Sequence, residues 1–336
     1  MRQTIHKNQN MKSKLLSIII PAYNVEFFLT KAVTSLSFFL NNEKVEIFII
    51  NDGSTDDTEL IGHQLSNQFS NITVVTQENM GLSAARNVGL KQVNGTYTYF
   101  YDGDDFLNSV YLKDIFMILE QTSVDILSFG YAQVDDDGTE LNRHLFKDDS
   151  FYISLSKADY IHAIIGGGTD PVAGYLPTKI IRTSLIRTLR FRQMNYEDMP
   201  FVFELLENEN IHSILYLNRV VYNYVQRKDS ITHSITYTNL SDKLLSLWLV
   251  NNSLNKMGVS KKVLCLNNER MLIQALWVSS LNIKFVRSRL VASNANRLLR
   301  MLFSFSGSTR RISLYLRLKT FYYLIINVLL RFIYFR

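Results

Sequence analysis

The sequence predicts an α/β protein: a mainly parallel sheet flanked by helices over residues 15–235, then a basic helical region over 236–336. Three observations carry this. Unbroken apolar runs of strand length alternate with stretches of helical spacing. A polar, turn-forming loop follows each of the first four predicted strands. The charge of the chain changes sign near residue 235.

The elements follow in order. Residues 1–14 form a polar, basic tail. "LLSIIIP" (15–21) is an unbroken apolar run, as a buried parallel strand would be. "FFLTKAVTSLSFFL" (27–40) has helical spacing. "VEIFIINDGS" (45–54) is a second buried strand. "DDTELIGHQLSNQF" (56–69) is a helix with acidic residues in its first turn, which suits the helix dipole. "NITVVTQ" (71–77) is a short strand, "SAARNVGLKQV" (83–93) a helix and "TYTYFYD" (96–102) a strand. Beyond them come a helix at 110–121, a strand at 124–134, an acidic turn at 135–140, a glycine-rich loop at 166–170, a helix opening near Glu197, and a strand-rich run at 211–225. From residue 240 the pattern is helical and basic.

Composition narrows the function. The chain has 336 residues, 47% of them hydrophobic, enough for a large core. It has one cysteine, Cys265, so neither a disulfide framework nor a cysteine-rich zinc site is possible, and a reducing compartment fits. The run "LLSIII" is too short and strand-like for a signal peptide. Residues 1–235 carry 20 Lys and Arg against 28 Asp and Glu, a balance of −8; residues 236–336 carry 16 against 2, a balance of +14. Such a tail is expected to meet something anionic, either nucleic acid or a membrane surface.

The four loops are "PAYN" (21–24), "NDGSTDDT" (51–58), "NMGLSAARN" (79–87) and "DGDD" (102–105). Any one of them is ordinary turn chemistry. Together they share the carboxyl edge of the sheet, where α/β proteins bind ligands. The aspartates of "DGDD" repel one another unless a cation sits among them. Oxygen-only ligands select a hard ion, Mg²⁺ or Mn²⁺, which takes its remaining ligands from water and phosphate.

"SIIIPAYN", "IINDGSTDDT", "NMGLSAARNVGL" and "YFYDGDDF" resemble the successive signatures of family 2 glycosyltransferases with the GT-A, Rossmann-like fold. The resemblance covers residues 15–235. It implies a metal-dependent enzyme that moves a sugar from a nucleotide-sugar to an acceptor hydroxyl with inversion at the anomeric carbon. By this resemblance Asp104 is a metal ligand, Asp102 contacts the ribose or the metal, and Asp105 assists. Pro21, Tyr23, Glu26 and Asp52 hold the nucleotide base, and Arg86 lies beside the nucleotide. "NYEDMPF" implies Asp198 as the base and Glu197 as its neighbour. "QRKDSITHS" resembles a segment that folds over the donor, placing Arg227 and His233 at the diphosphate or metal. The residue chemistry agrees: Tyr23 can stack on a base, Asp52 can accept from uracil N3–H or pair with another base's donors, and Asn79 precedes a helix N-terminus, which favours anions.

Two other readings compete. A nucleotidyltransferase or pyrophosphorylase would carry a glycine-rich loop with a basic residue after the first strand, where this chain has "PAYN". A nucleic-acid-binding protein would use the basic tail, but the strand-end aspartates would repel phosphates. In "ISLYLRLKTFYYLIINVLLRFIYFR" (312–336) the longest charge-free stretch is Thr320 to Leu330, shorter than the roughly 20 residues of a membrane span. The expectation is an interfacial segment with its cations towards lipid head groups, and a cytoplasmic enzyme held peripherally at the inner face of the cell membrane. Its acceptor would be a growing polysaccharide or a lipid-linked glycan.

Overall fold

The structure is a computed structural model that describes residues 13–166, 174–227, 237–268 and 270–271. The first half alternates as its periodicity requires: β1 (Leu16–Ala22), α1 (Leu29–Ser35), β2 (Val45–Asn51), α2 (Thr58–Gln68), β3 (Ile72–Thr76), α3 (Leu82–Gln92) and β4 (Tyr97–Phe100). The second half contains β5 (Phe106–Leu107), α4 (Leu112–Gln121), β6 (Ile126–Val134), β7 (Glu140–His144), β8 (Tyr152–Leu155), α5 (Lys157–Ile165), β9 (Lys179–Arg182), α6 (Asp198–Leu206), β10 (Ile214–Val225) and α7 (Tyr237–Lys256).

All ten strands join one sheet in the order β3-β2-β1-β4-β9-β6-β10-β5, with β7 on β6 and β8 on β10. The half β3-β2-β1-β4 is entirely parallel, with Leu16 beside Val45 and Tyr97. Past β4 the sheet is mixed. The four-residue β9 runs antiparallel between β4 and β6, and β6 pairs parallel with β10.

Consecutive residues of β1 point to opposite faces, so both faces of the sheet are covered. Ile18 and Ile20 pack with Leu29, Val33, Leu65, Ile115 and Leu119, putting α1, α2 and α4 on one side. Ile19 packs with Ala85, Ile161, Phe201, Val250 and Leu254, putting α3, α5, α6 and α7 on the other. Helix α7 therefore shares an apolar layer with α6. The acidic turn at 135–138 closes the β6–β7 hairpin, with Asp135 Oδ1 accepting from Thr139 N at 2.8 Å.

Two glycines bring the site loops together. A Cβ on Gly89 of α3 would lie 2.3 Å from Ile19 Cγ2, so the helix seats directly on β1. Gly53 has φ +68°, and a Cβ there would lie 2.7 Å from Asn79 N, so the loops after β2 and β3 touch.

Candidate active site

The carboxyl ends of β1 to β4 converge, and Asp52 ties two of the loops. It is buried, and its Oδ1 accepts from Gln77 Nε2 at 2.6 Å and Met80 N at 2.9 Å, its Oδ2 from Gly81 N at 2.7 Å. The carboxylate assigned to base recognition thus anchors the 77–81 loop. Glu26 likewise caps a helix start: its Oε2 accepts from Asp57 N at 2.9 Å. Pro21 is buried in β1, while Tyr23 and Asn79 are exposed on the loop rims.

Arg86 is the centre of the arrangement. It lies in the second turn of α3 and is 1% exposed. Its Nη2 donates to Asp102 Oδ1 at 2.8 Å; its Nη1 donates to Asp198 Oδ1 at 2.6 Å and to Glu197 Oε1. Three carboxylates from two distant segments share one guanidinium, a planar fork suited to such sharing. Burial alone would push the guanidinium pKa down, but Asp198, Asp102 and Glu197 together hold it above its usual value. Burial also raises the Asp102 carboxyl, against the opposing charge of Arg86. Burial, opposed by Arg86 and assisted by the charge of Asp198, pushes Glu197 up to about 7.

The backbone aims Glu197 and Asp198. Tyr196, just before them, has φ +58°, a left-handed conformation uncommon for a tyrosine. Helix α7 holds the approach: Asn195 N donates to Asp242 Oδ2 at 2.9 Å and Asn195 Nδ2 to Asn239 Oδ1 at 2.6 Å. Asp198 Oδ2 accepts from Leu176 N at 3.0 Å. Arg86, Asn195, Glu197 and Asp198 border a cavity of about 210 Å³ that is also lined by Tyr131, Tyr175, Tyr196, Tyr222 and Tyr224.

The three aspartates of "DGDD" separate in role. Asp102 meets Arg86. Asp104 pairs with Arg227, whose guanidinium stacks 4.9 Å above the Phe28 ring. Asp105 turns inward: Tyr222 Oη donates to its Oδ2, Val225 N donates to Oδ1 at 2.7 Å, and burial raises its pKa well above the carboxylate range. It fastens the loop after β4 to β10. His233 lies outside the described residues.

For a cation, Asp102 and Asp104 offer the oxygens that Arg86 and Arg227 do not take. Among the described residues no three His, Cys, Asp or Glu side chains form a metal cluster. That donor set fits a hard ion completed by water and a diphosphate.

Sequence reasoning missed Lys179 and most of the tyrosine wall. Lys179 is fully buried at the start of β9. A lone lysine in "LPTKIIR" is its only signal, and Tyr196 alone stands inside a quoted motif.

The model of the family described as "Glycosyl transferase family 2" matches residues 17–174. An "uncharacterized glycosyltransferase" of Haemophilus influenzae is 30% identical over 209 residues, covering 61% of this chain and 77% of its own length. The chain belongs to glycosyl transferase family 2. This family 2 member is also 38% identical to EpsJ of Bacillus subtilis over 123 residues, 37% of this chain and 36% of EpsJ. GlyA of Streptococcus pneumoniae is 28% identical over 224 residues, 65% of this chain and 31% of GlyA. The match therefore spans about a third of the length of these two relatives, 36% and 31%. Residues 1–349 of S. aureus TarS in complex with UDP-GlcNAc superpose with a TM-score of 0.68 at 22% identity, covering 93% of this chain and 90% of that one. At that identity the likeness is one of fold, and the fold is GT-A.

Proposed function

We propose that this chain is a metal-dependent, inverting glycosyltransferase that moves a sugar from a UDP-linked donor to a hydroxyl of a growing polysaccharide or lipid-linked glycan. One observation carries the reading: Arg86 draws Asp102, Glu197 and Asp198 from the nucleotide edge and from α6 to one tyrosine-walled cavity. The solved structure of TarS with UDP-GlcNAc supports a UDP-sugar as donor.

In this reading Asp198 takes the acceptor proton. Arg86 fixes one of its oxygens and Leu176 N the other, so the carboxylate is held without free rotation. The acceptor O–H gives its proton to Asp198 as the oxygen bonds to the anomeric carbon. On the opposite face the bond from that carbon to the diphosphate oxygen breaks, and its electron pair leaves with UDP. One displacement gives inversion. Asp102 and Asp104 would hold Mn²⁺ or Mg²⁺, which when bound neutralises charge on the leaving diphosphate. Arg227, already paired with Asp104, stands at the same loop. Tyr23 offers a face for the base. The tyrosine wall suits the C–H faces of a sugar ring.

The membrane surface enters through charge. Among the described residues no helix is long and apolar enough to cross a membrane. We assign the enzyme to the cytoplasmic side, held peripherally by its basic C-terminal region; that region lies mostly outside the described residues.

The test is a screen of nucleotide-sugars for nucleoside diphosphate release, with and without Mn²⁺. Asp104→Ala should abolish release and weaken UDP binding in Mn²⁺, whereas Asp135→Ala, in the β6–β7 turn, should do neither. Full activity of Asp104→Ala, or equal loss from both, would remove the metal from the proposal. Release from no nucleotide-sugar would remove the transferase.

A further inference from the structure

Side chains grip opposite ends of one peptide unit beside the cavity, the half-buried Asp198 at one end and the buried Lys179 and Thr178 at the other. The Leu176 N–H donates to Asp198 Oδ2 at 3.0 Å. The carbonyl of the same unit, Tyr175 O, accepts from Lys179 Nζ at 2.9 Å and from Thr178 Oγ1 at 2.8 Å. Lys179 Nζ also donates to Thr178 Oγ1 at 3.0 Å. Lys179 and Thr178 are both 0% exposed. A lysine is seldom placed in such a position, because removing an ammonium from water is costly. The backbone pairing of Lys179 with Ser128 across β9 and β6 would be met equally well by an apolar residue.

We infer that Lys179 is a positioning residue for Asp198, acting through the Tyr175–Leu176 peptide. The inference rests on Asp198 being the proton acceptor. An amide whose carbonyl accepts from an ammonium and a hydroxyl is polarised and donates more strongly through its N–H. That N–H fixes Oδ2 of Asp198 while Arg86 fixes Oδ1. The carboxylate is thus oriented from two elements, α3 and the turn at 175–178. The same turn places Tyr175 and Pro177 in the cavity wall, so its geometry sets both the base and the surface facing the substrate. Electrostatics agrees: burial pushes Lys179 down to about 7 while the charge of Asp198 opposes this, so the two charged forms support each other.

The experiment uses the full chain and UDP release from an equimolar mixture of UDP-glucose, UDP-galactose and UDP-N-acetylglucosamine in Mn²⁺, with UDP affinity from calorimetry. Lys179→Met keeps the volume and removes the ammonium. It should lower kcat about tenfold or more while KM for the mixture and the UDP Kd stay within about threefold. In an Asp198→Asn background it should add less than about twofold, because its effect runs through the carboxylate that Asn replaces. Thr178→Val removes one of the two donors to Tyr175 O and should follow the same pattern with about a threefold loss. If Lys179→Met shows no cooperative melt, Thr178→Val decides.

Unchanged kcat, a matching loss of UDP affinity, or a full additional loss in the Asp198→Asn background would each overturn the role of Lys179 and leave the proposed function standing. An Asp198→Asn enzyme with wild-type kcat, or a wild-type chain that releases no UDP, would overturn the proposed function and this inference with it.

Discussion

Arg86 holds together three carboxylates that would otherwise repel one another. Arg86→Met should therefore destabilise the fold by about 3–5 kcal/mol, the scale of breaking a buried ion pair, measured by chemical denaturation. Its neighbours separate chemistry from binding. Asp198→Asn keeps shape and removes the base, so the rate should fall roughly 10²–10⁴-fold with UDP affinity nearly unchanged. A collapse of UDP binding instead would make Asp198 a donor-site residue. Glu197 gives a pH dependence. Its carboxyl is raised from an ordinary 4.5 to about 7, chiefly by burial. The folded protein keeps a proton that the unfolded chain releases in that window, so stability falls as pH rises through it. Glu197→Gln cannot ionise, and its melting temperature should change less than that of the wild type between about pH 5 and 7. Arg86, Asp102, Glu197 and Asp198 were singled out because they stand in motifs that resemble family signatures, and the structure brings the four side chains together. The bond pattern was not legible: nothing in "NDGS" shows that Gln77, Met80 and Gly81 occupy the carboxylate of Asp52.

Helix α3 carries Arg86, so its seat on β1 sets where the guanidinium lies. The seat is Gly89 against Ile19, where a Cβ added to the glycine would lie 2.3 Å from Ile19 Cγ2. Gly89→Ala should cost about 1–3 kcal/mol through overpacking, and combined with Ile19→Ala the total loss in a denaturant titration should be smaller than the sum of the two single losses. Strict additivity would mean that the strain is relieved elsewhere. The elements of the first half were readable because parallel strands buried on both faces are unbroken apolar runs. The second half was less readable. Strand β9 has only two apolar residues, Ile180 and Ile181, between Lys179 and Arg182, too few for any period. It nevertheless sits in mid-sheet and turns the strand direction. Helix α5 does carry a local signal: Ser156 Oγ accepts from Asp159 N at 3.1 Å, a cap readable as Ser-x-x-Asp before an apolar run.

The whole chain divides by charge, −8 over residues 1–235 and +14 over 236–336. The first part of the basic region is structural, since Val250 and Leu254 of α7 lie in the same apolar layer as α6. Cutting there should unfold the α6 side of the sheet. Residues 272–336 lie outside the described residues, and their sequence alone sets the expectation. A truncation before Arg311 removes Arg311, Arg317, Lys319, Arg331 and Arg336 with the aromatic residues among them. Each basic residue near an anionic leaflet is worth about 1 kcal/mol, so these charges together could supply roughly 5 kcal/mol, ample for localisation. The described site residues all precede residue 235, so the truncated enzyme should still bind UDP and release it from donor. It should lose cosedimentation with anionic phosphatidylglycerol vesicles, and lose transfer to a lipid-linked acceptor while keeping transfer to a soluble one. The intact chain should lose vesicle binding in high salt, as screening weakens the attraction. If the intact chain ignores vesicles while the truncated one aggregates, the tail serves packing and the membrane assignment fails.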